Sequence, residues 1–190
     1  MHRVSGEVEA RDPRDDVTLL RAHTGGDAHA FGELVHRHRD RLWAVALRTL
    51  GDREEAADAL QDALLSAYRA ADRFRGDAAV TTWIYRVALN TAMTWRRRER
   101  KHGTGRQELE AAAGLLAEPD IRDPRLEWIY ARIAELDEVN RSLALLMLDG
   151  FSYRDMSQIL GLGESNVGVK INRIKAALSA QLAKEGHDGL

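Results

Sequence analysis

The sequence contains no cysteine among its 190 residues, which excludes a disulfide scaffold, a Cys-ligated zinc site and a cysteine nucleophile. It has only 3 prolines, and no apolar run approaches the roughly 18 residues that a membrane-spanning helix needs. The opening residues also lack the apolar core of a secretory signal. Together these absences predict a cytoplasmic protein.

Neither sign of charge dominates, because the formal net charge is −2 and the pI is about 6.4. Bulk charge therefore gives no indication of a nucleic-acid partner. The basic residues are uneven, however: all 4 lysines lie at or after Lys101, and 18 of the 24 arginines lie at or before Arg106. This asymmetry indicates two modules of different composition.

The predicted domain organisation follows from that asymmetry and from the turn-forming residues between the modules. We predict one helical module at 17–102 and another at 126–184. The glycine- and proline-containing stretch 103–125 holds five acidic and three basic residues and predicts a flexible linker. Residues 1–16 are predicted to form a disordered N-terminal tail and residues 185–190 a C-terminal tail.

Apolar residues recur at helical spacing almost throughout, and no segment alternates long enough to indicate a strand. The predicted fold is therefore all-α, with two small helical domains. Asp27 and Asp52 are candidate N-caps for the first two long helices. The predicted helices span about 27–50, 52–69, 82–100, 125–135, 138–148, 152–160 and 164–183.

The helix after Asp52 has an apolar stripe on one side and an acidic face on the other. This acidic face consists of Glu55, Asp58, Gln61, Asp62, Leu65 and Arg69. A solvated helix surface is the simple interpretation. An exposed Leu65 among carboxylates is instead typical of a surface that docks another protein.

The helix from residue 82 to 101 carries six basic residues and one acidic residue. Its predicted outer side, the basic face, consists of Arg86, Asn90, Met93, Arg97, Arg100 and Lys101. A solvated face would normally mix both signs, so contacts with nucleic-acid phosphates explain this one better. Asn90 is suited to a base edge. The competing explanation is that bases near a helix C-terminus favour the helix dipole.

The segment 150–178 has the layout of a helix-turn-helix, with Ser152 as a helix cap and Gly161 in the turn. In this motif the second helix enters the major groove by its N-terminal residues. With its apolar stripe packed inward, that helix exposes Ser165, Asn166, Val169, Lys170, Asn172 and Arg173. We therefore predict duplex DNA binding here, with a helical hairpin without a DNA role as the alternative.

Metal binding and catalysis find little support in the sequence. His36 and His38 are two residues apart and so point about 200° apart on a helix, which excludes a shared metal site. There is no glycine-rich phosphate loop and no GxSxG motif. We predict neither a cofactor nor an enzymatic activity.

The order of these features resembles the extracytoplasmic-function group of the sigma-70 family. The resemblance rests on ALQDALLSAY (59–68), RFRGDAAVTTWIYRVALNTA (73–92), a basic helix end, an acidic linker and a C-terminal helix-turn-helix. It covers nearly the whole chain, from about Val17 to Lys184. The chain departs from the family pattern at the start of the second helix of the helix-turn-helix. Many members have Gly-Thr-Val followed by a basic residue and Ser, whereas this chain has Ser165, Asn166, Val167, Gly168 and Val169. The usual minus-thirty-five preference is therefore not expected to carry over to this chain.

The resemblance implies a transcription initiation factor that binds the bacterial RNA polymerase core, directs it to promoters and assists opening of the DNA. Its region 2 would serve the minus-ten element and its region 4 the minus-thirty-five element. The residues at Glu55, Asp58, Gln61, Asp62 and Leu65 match the part that docks on the clamp helices of the largest polymerase subunit. Region 4 would also meet the polymerase flap, and the linker would thread the active-site cleft.

The resemblance further implies roles for single-stranded and duplex promoter DNA. Phe74, Arg75, Arg86, Asn90, Arg97, Arg100 and Lys101 match the part that captures unstacked bases of the nontemplate strand at the minus-ten element. Ser165, Asn166, Val169, Lys170, Asn172 and Arg173 would read the minus-thirty-five duplex. An anti-sigma protein is a further implied partner, and membrane insertion is not expected.

Two other functions are left open by the sequence. A stand-alone helix-turn-helix regulator would explain residues 150–180 but would leave residues 54–100 unexplained. A helical adaptor would keep the acidic face and make the basic face incidental.

Overall fold

The structure is a computed structural model that describes residue 12, residues 14–102 and residues 124–184. The side chains of residues 99–102, 124, 125 and 127 lie outside this description. So do most of the predicted N-terminal tail, the predicted linker up to residue 123 and the predicted C-terminal tail.

The described residues form eight α-helices and no strand, which confirms the predicted all-α fold. The helices are α1 (Asp16–Thr24), α2 (Ala30–Leu50), α3 (Arg53–Ala70), α4 (Val80–His102), α5 (Pro124–Ala134), α6 (Glu138–Leu148), α7 (Tyr153–Leu160) and α8 (Glu164–Lys184). A short 3-10 turn, Ala71–Arg73, follows α3. None of these helices is long and apolar enough to cross a membrane.

The first domain packs α2, α3 and α4 against one another, with α1 against α2 and α4. Its sharpest boundary lies between α2 and α3. Gly51 ends α2 in the left-handed conformation, with φ of 83°, which favours glycine because it has no Cβ. The Asp52 side chain then accepts hydrogen bonds from the backbone N–H groups of Glu54 and Glu55 at 2.8 and 3.0 Å. This cap starts α3 and so fixes which of its sides is buried.

The helix α1 is absent from the sequence prediction. It has nine residues, and only Leu19 and Leu20 are buried, so its apolar periodicity is weak. Asp15 caps it by accepting from the backbone N–H of Thr18 at 2.7 Å. Just upstream, Arg14 forms an ion pair with Asp27 at 2.9 Å. Contacts of the first domain therefore extend into the stretch that the sequence assigns to a tail.

The second domain consists of α5 to α8 around a small apolar core. Leu143, Met156 and Ile171, from three different helices, are each almost fully buried. Within it, Ser152 and Asp155 form a capping box at the start of α7, and Gly161 ends this helix with φ of 66°. These signals give the turn of the helix-turn-helix its geometry.

The two domains contact each other through α4 and α7. The Thr82 hydroxyl donates to Asp155 Oδ1 at 3.0 Å, and the rings of Tyr85 and Phe151 have centroids 4.7 Å apart. Because Tyr85 is 0% exposed, the contact is a packed one and does not consist of surface charges alone. Helical spacing in the sequence does not predict this packing.

Candidate polymerase and nucleic-acid interfaces

The acidic face of α3 is largely exposed, as predicted from its helical projection. Asp58, Gln61 and Asp62 are exposed, and Leu65 keeps 45% of its surface accessible. Glu55 differs from the others because it is half-buried. Tyr68, which is not among the residues predicted for this face, adds a second exposed apolar group with 50% of its surface accessible. Carboxylates around exposed apolar side chains are suited to binding another protein.

A groove between α3 and α4 joins the acidic face to the basic face. Its volume is about 330 Å³, and its walls include Asp62 and Leu65 from α3 and Asn90 from α4. The indole N–H of Trp95 donates to Asp62 Oδ2 at 3.2 Å. Two surfaces that the sequence treats as separate therefore meet, and a substitution of Asp62 also perturbs the neighbourhood of Asn90.

The basic face is narrower than predicted. Arg86, Asn90 and Arg97 are exposed, but Met93 is only 8% exposed, so its place on the outer face is wrong. Met93 follows the buried residues Tyr85 and Leu89 at spacings of four residues, so it lies on the buried side of α4. The side chains of Arg100 and Lys101, also predicted for this face, lie outside the described residues.

Arg96 and Arg97, adjacent in sequence, have different surroundings. Arg96 donates to the backbone carbonyl of Thr49 at 2.9 Å, which ties the end of α4 to α2. Arg97 remains 62% exposed and lies 3.2 Å from Glu138 Oε1 at the start of α6. Arg97 thus has the exposure that phosphate binding needs, together with an ion pair to the second domain.

A pocket of about 290 Å³ lies beside the loop 74–80. Phe74 and Trp83 meet edge to face there, with ring centroids 5.6 Å apart. Arg73, Arg75, Gly76, Asp77, Ala78, Arg86 and Gln158 complete its lining. Aromatic rings beside arginines can stack a nucleobase and balance its phosphates. Trp83 is only 7% exposed, yet it forms part of the pocket wall, which helical spacing alone does not reveal.

A second cavity, of about 400 Å³, lies on the α1 side of the same loop. Val17, Leu20 and Arg21 of α1 line it together with Phe74 and Arg75. The loop therefore separates two concave surfaces, and Phe74 and Arg75 contribute to both. Because the sequence does not predict α1, it does not predict the part of this cavity wall that α1 forms.

The second helix of the helix-turn-helix, α8, exposes the residues that the sequence selects. Ser165, Asn166, Val169, Asn172 and Arg173 are all exposed, whereas Val167, Ile171 and Ile174 are buried. Lys170 is half-buried, and its Nζ lies 3.5 Å from Asn140 Oδ1 on α6. Asn140 is therefore a neighbour of this surface that sequence spacing does not reveal.

Gly168 packs against Tyr153 of α7. A Cβ built at Gly168 would lie 3.6 Å from the Tyr153 ring, which is ordinary van der Waals contact. Tyr153 is itself 38% exposed at the edge of the helix-turn-helix. The glycine thus costs helix stability without being required by the packing.

An apolar groove of about 330 Å³ lies on another side of the second domain. Trp128, Ile129 and Ile133 of α5 form one wall. Met147, Leu148, Leu178, Ser179 and Leu182 form the rest. This groove does not overlap the exposed residues of α8 named above.

Two carboxylates at the domain contact are shifted in opposite directions. The pKa of Asp155 is held below its ordinary value mainly by the hydrogen bond from the Ser152 side chain. Burial opposes this effect, and a weaker lowering comes from the hydrogen bond of Thr82. Burial raises the pKa of Asp149, although Arg48 and Arg41 oppose this effect. Burial, followed by the charge of Asp149, also raises the pKa of Tyr85. Asp149 and Tyr85 are therefore buried near each other at the junction of the domains.

Histidines do not assemble a metal site in the part of the chain that the structure describes, where no cluster of three metal-ligating side chains occurs. His38 Nε2 instead lies 2.7 Å from Asp16 Oδ2, and the His23 ring packs against Tyr68. Both contacts connect α1 to the rest of the first domain.

Known families match both domains. The family Sigma-70 region 2 matches residues 34–102, and the family Sigma-70, region 4 matches residues 126–178. The chain thus contains region 2 of a sigma-70 factor followed by region 4.

Curated relatives extend this similarity over most of the chain. The ECF RNA polymerase sigma factor SigM of Mycobacterium tuberculosis is 33% identical and covers 90% of this chain and 87% of its own length. The RNA polymerase sigma-H factor of Pseudomonas aeruginosa is 30% identical, covering 88% and 93%. The chain belongs to the extracytoplasmic-function group of the sigma-70 family.

Two solved structures share the fold. CnrH, in complex with the cytosolic domain of CnrY, superposes with a TM-score of 0.67 at 27% identity, covering 89% of this chain and 97% of that one. The sigma factor RpoE in complex with the anti-sigma factor NepR, from Bartonella quintana, gives a TM-score of 0.61 at 21% identity, covering 82% and 98%.

Proposed function

We propose that this sigma factor divides promoter recognition between a single-strand pocket in its first domain and a duplex-reading helix in its second. The observation that carries this proposal is the pocket beside loop 74–80, where the paired rings of Phe74 and Trp83 adjoin Arg75 and Arg86. An unstacked base of the minus-ten element would enter this pocket, and Asn90 and Arg97 would follow the adjoining strand. Arg100 and Lys101 extend the same basic sequence.

Core polymerase would bind through the acidic face of α3. The exposed groups Asp58, Gln61, Asp62 and Leu65 offer negative charge around an apolar centre, and Glu55 supports them from a half-buried position. Such a surface fits a basic partner with an apolar contact at its centre, and the clamp helices of the largest polymerase subunit are the partner we propose.

The second domain would make two further contacts. The exposed N-terminal part of α8, with Ser165, Asn166 and Val169, would read the minus-thirty-five duplex. Lys170, Asn172 and Arg173 would contribute to the same surface. The apolar groove lined by Trp128 and Leu178 would receive an apolar helix of the polymerase flap.

The wider role follows from these contacts. We place the boundaries of the two functional domains at 17–102 and 126–184, with 103–125 as the connection through the polymerase cleft. The protein would act in the cytoplasm as a non-catalytic initiation subunit, and an anti-sigma protein would regulate it. A stand-alone regulator is not favoured, because sigma factor relatives match both domains and not the helix-turn-helix alone.

Run-off transcription tests this function. Bacterial core polymerase is supplied with a library of promoter-length DNA, with and without the purified chain. We expect sequence-selective transcripts that depend on the chain. Selective duplex binding by the chain without any transcript, with several different cores, would contradict the proposal.

A variant pair separates the two activities of the first domain. Asp58 lies outside the groove shared with Asn90, so Asp58→Arg should reduce core binding and leave strand capture intact. Asn90→Ala should have the opposite effect. Asp40→Arg is the matched control, since the Asp40 side chain is 93% exposed and lies on α2, away from both faces.

A further inference from the structure

We infer that Val169 is a specificity-determining residue of α8, and that it recognises the 5-methyl group of one thymine in the minus-thirty-five element. The inference rests on the proposed reading of duplex DNA by α8. It deepens that proposal, because it names the base that the centre of this surface selects and the chemical group by which it is selected.

Val169 lies at the centre of the exposed face of α8. Its neighbours on the helix surface are the residues three and four positions away, whose Cβ atoms lie roughly 5–6 Å from its own. These neighbours are Ser165, Asn166, Asn172 and Arg173, and all four are exposed. Val169 itself keeps 50% of its surface accessible. One apolar side chain is thus surrounded by four polar ones on the surface proposed to face DNA.

Packing within the second domain does not explain this valine. The buried stripe of α8 consists of Val167, Ile171 and Ile174. Val169 is two residues from both Val167 and Ile171, so it points about 200° away from each of them around the helix. Valine also favours a helix less than straight-chain polar residues do, because its branched side chain loses rotamer freedom there. Neither the core nor helix formation therefore requires an apolar side chain at this position.

The neighbouring glycine leaves one flank of Val169 open. Gly168 has no side chain, and the atoms nearest to a Cβ built there belong to the Tyr153 ring, at 3.6 and 3.7 Å. Tyr153 is 38% exposed, so its ring borders the same surface. A base edge that approaches Val169 from this flank meets an aromatic ring and no long side chain at position 168.

The major groove of DNA offers one apolar group that suits Val169. Adenine, guanine and cytosine present only hydrogen-bond donors and acceptors on that side, whereas thymine also presents its 5-methyl group. An apolar side chain pressed against a donor or acceptor removes it from water without replacing its hydrogen bond, which is unfavourable. Val169 would therefore favour a thymine over the other three bases.

The polar neighbours would hold Val169 against that methyl group. Asparagine pairs well with the edge of adenine, and arginine with the edge of guanine. Asn166 and Arg173 lie on opposite sides of Val169 along α8, three residues before it and four after it. Hydrogen bonds from both would set the register of the helix on the duplex, so that Val169 meets one defined base pair.

Replacement of thymine by deoxyuridine tests the inference, because it removes only the methyl group. The preferred minus-thirty-five duplex is first selected from a random pool with the holoenzyme, formed from the full chain and bacterial core polymerase. Each thymine of the selected duplex is then replaced singly. We expect one position at which the replacement weakens binding by about fourfold, as for the loss of one buried methyl-sized apolar group.

A matched pair of variants assigns that effect to Val169. Val169→Ser should lower the ratio of thymine to deoxyuridine affinity at this position from about four to about one. Val169→Ile, which keeps an apolar branched side chain, should retain the preference. The control Val17→Ser makes the same change at another exposed valine, on α1 of the first domain, and should leave the ratio unchanged. This ratio is a readout that a merely structural role of Val169 would not move.

Each outcome either supports the inference or overturns it. Equal affinity for thymine and deoxyuridine at every position overturns it, and so does a selected duplex without thymine. A preference that survives Val169→Ser overturns the assignment to this residue. Failure to select any duplex removes the inference together with the proposed function of α8. That result differs from a selected duplex in which the deoxyuridine replacements are silent.

Discussion

The two DNA-facing surfaces differ in how much the rest of the chain covers them. In the first domain, the pocket of Phe74 and Trp83 is partly lined by Gln158 from the second domain, and Arg97 is paired with Glu138. In the second domain, Asn166 and Val169 are exposed and unobstructed. The surface proposed to read duplex DNA and the surface proposed to capture a single strand therefore lie apart, and substitutions can change one without changing the other.

The largest effect is expected from loss of core polymerase binding, because both DNA-facing surfaces depend on polymerase to reach a promoter in the proposed function. Asp58→Arg together with Gln61→Arg reverses the charge of the acidic face. We expect core affinity to fall by about 2–5 kcal/mol, as when one partner of a charged contact is removed. Titration of labelled core polymerase measures this, with Asp40→Arg as the control. Unchanged core binding would show that α3 does not carry the contact.

Phe74→Ala should weaken single-strand capture without changing duplex binding. Stacking on an aromatic side chain contributes about 1–3 kcal/mol per base, so capture of the minus-ten strand by the holoenzyme should weaken by that amount. Since Phe74 also packs against Trp83, the thermal midpoint of the variant has to be measured alongside. Loss of duplex binding to the same extent would mean general unfolding and not loss of a stacking platform.

Asn166→Ala should weaken duplex recognition without changing single-strand capture. A side chain that contacts a base edge contributes about 1–3 kcal/mol of discrimination. Binding to selected minus-thirty-five duplexes should weaken and lose specificity, while single-strand affinity stays constant. Equal losses on every sequence would instead indicate a phosphate contact.

The helix bounds were largely predictable because their signals are local. Asp52, Gly51, Ser152 and Gly161 act within a few residues of the helix ends that they determine. The buried and exposed sides of α8 also followed from spacing alone. α1 did not, because two buried leucines in nine residues give too little periodicity.

The junction of the domains could not be predicted for a different physical reason. Arg48 and Asp149 lie 101 residues apart in sequence, and nothing local to either one specifies the other. Met93 was assigned to the outer face because helical projection shows only which residues share a side. It does not show how wide the buried side of the helix is in the folded chain. Long-range packing therefore accounts for the main departures at the candidate site.

The pH dependence of stability is expected to reflect Asp149. Burial raises the pKa of this carboxyl in the folded chain, where Arg41 and Arg48 of α2 and Tyr85 of α4 face it. On unfolding, this pKa returns towards its ordinary value, so the folded form binds the proton more tightly at this site. The contribution of Asp149 to the free energy of unfolding should therefore fall as pH rises through the raised pKa. Chemical denaturation at a series of pH values measures this, and Asp149→Asn should remove the contribution while leaving the opposite one of Asp155.

The smallest expected effect concerns Gly168. An added Cβ meets Tyr153 at ordinary contact distance, so Gly168→Ala should stabilise α8 by about 0.5–1 kcal/mol. Chemical denaturation of the full chain measures the change. A destabilised variant would show that close packing on Tyr153 requires the glycine. Minus-thirty-five specificity should be retained.

The central claim is that the first domain captures an unstacked base in the pocket of Phe74 and Trp83. Its most direct test is fluorescence of 2-aminopurine placed at successive nontemplate positions of a minus-ten element bound by the holoenzyme. The account predicts a rise at one position that Asn166→Ala retains once the complex has formed and that Phe74→Ala abolishes. A rise that survives Phe74→Ala unchanged would contradict it.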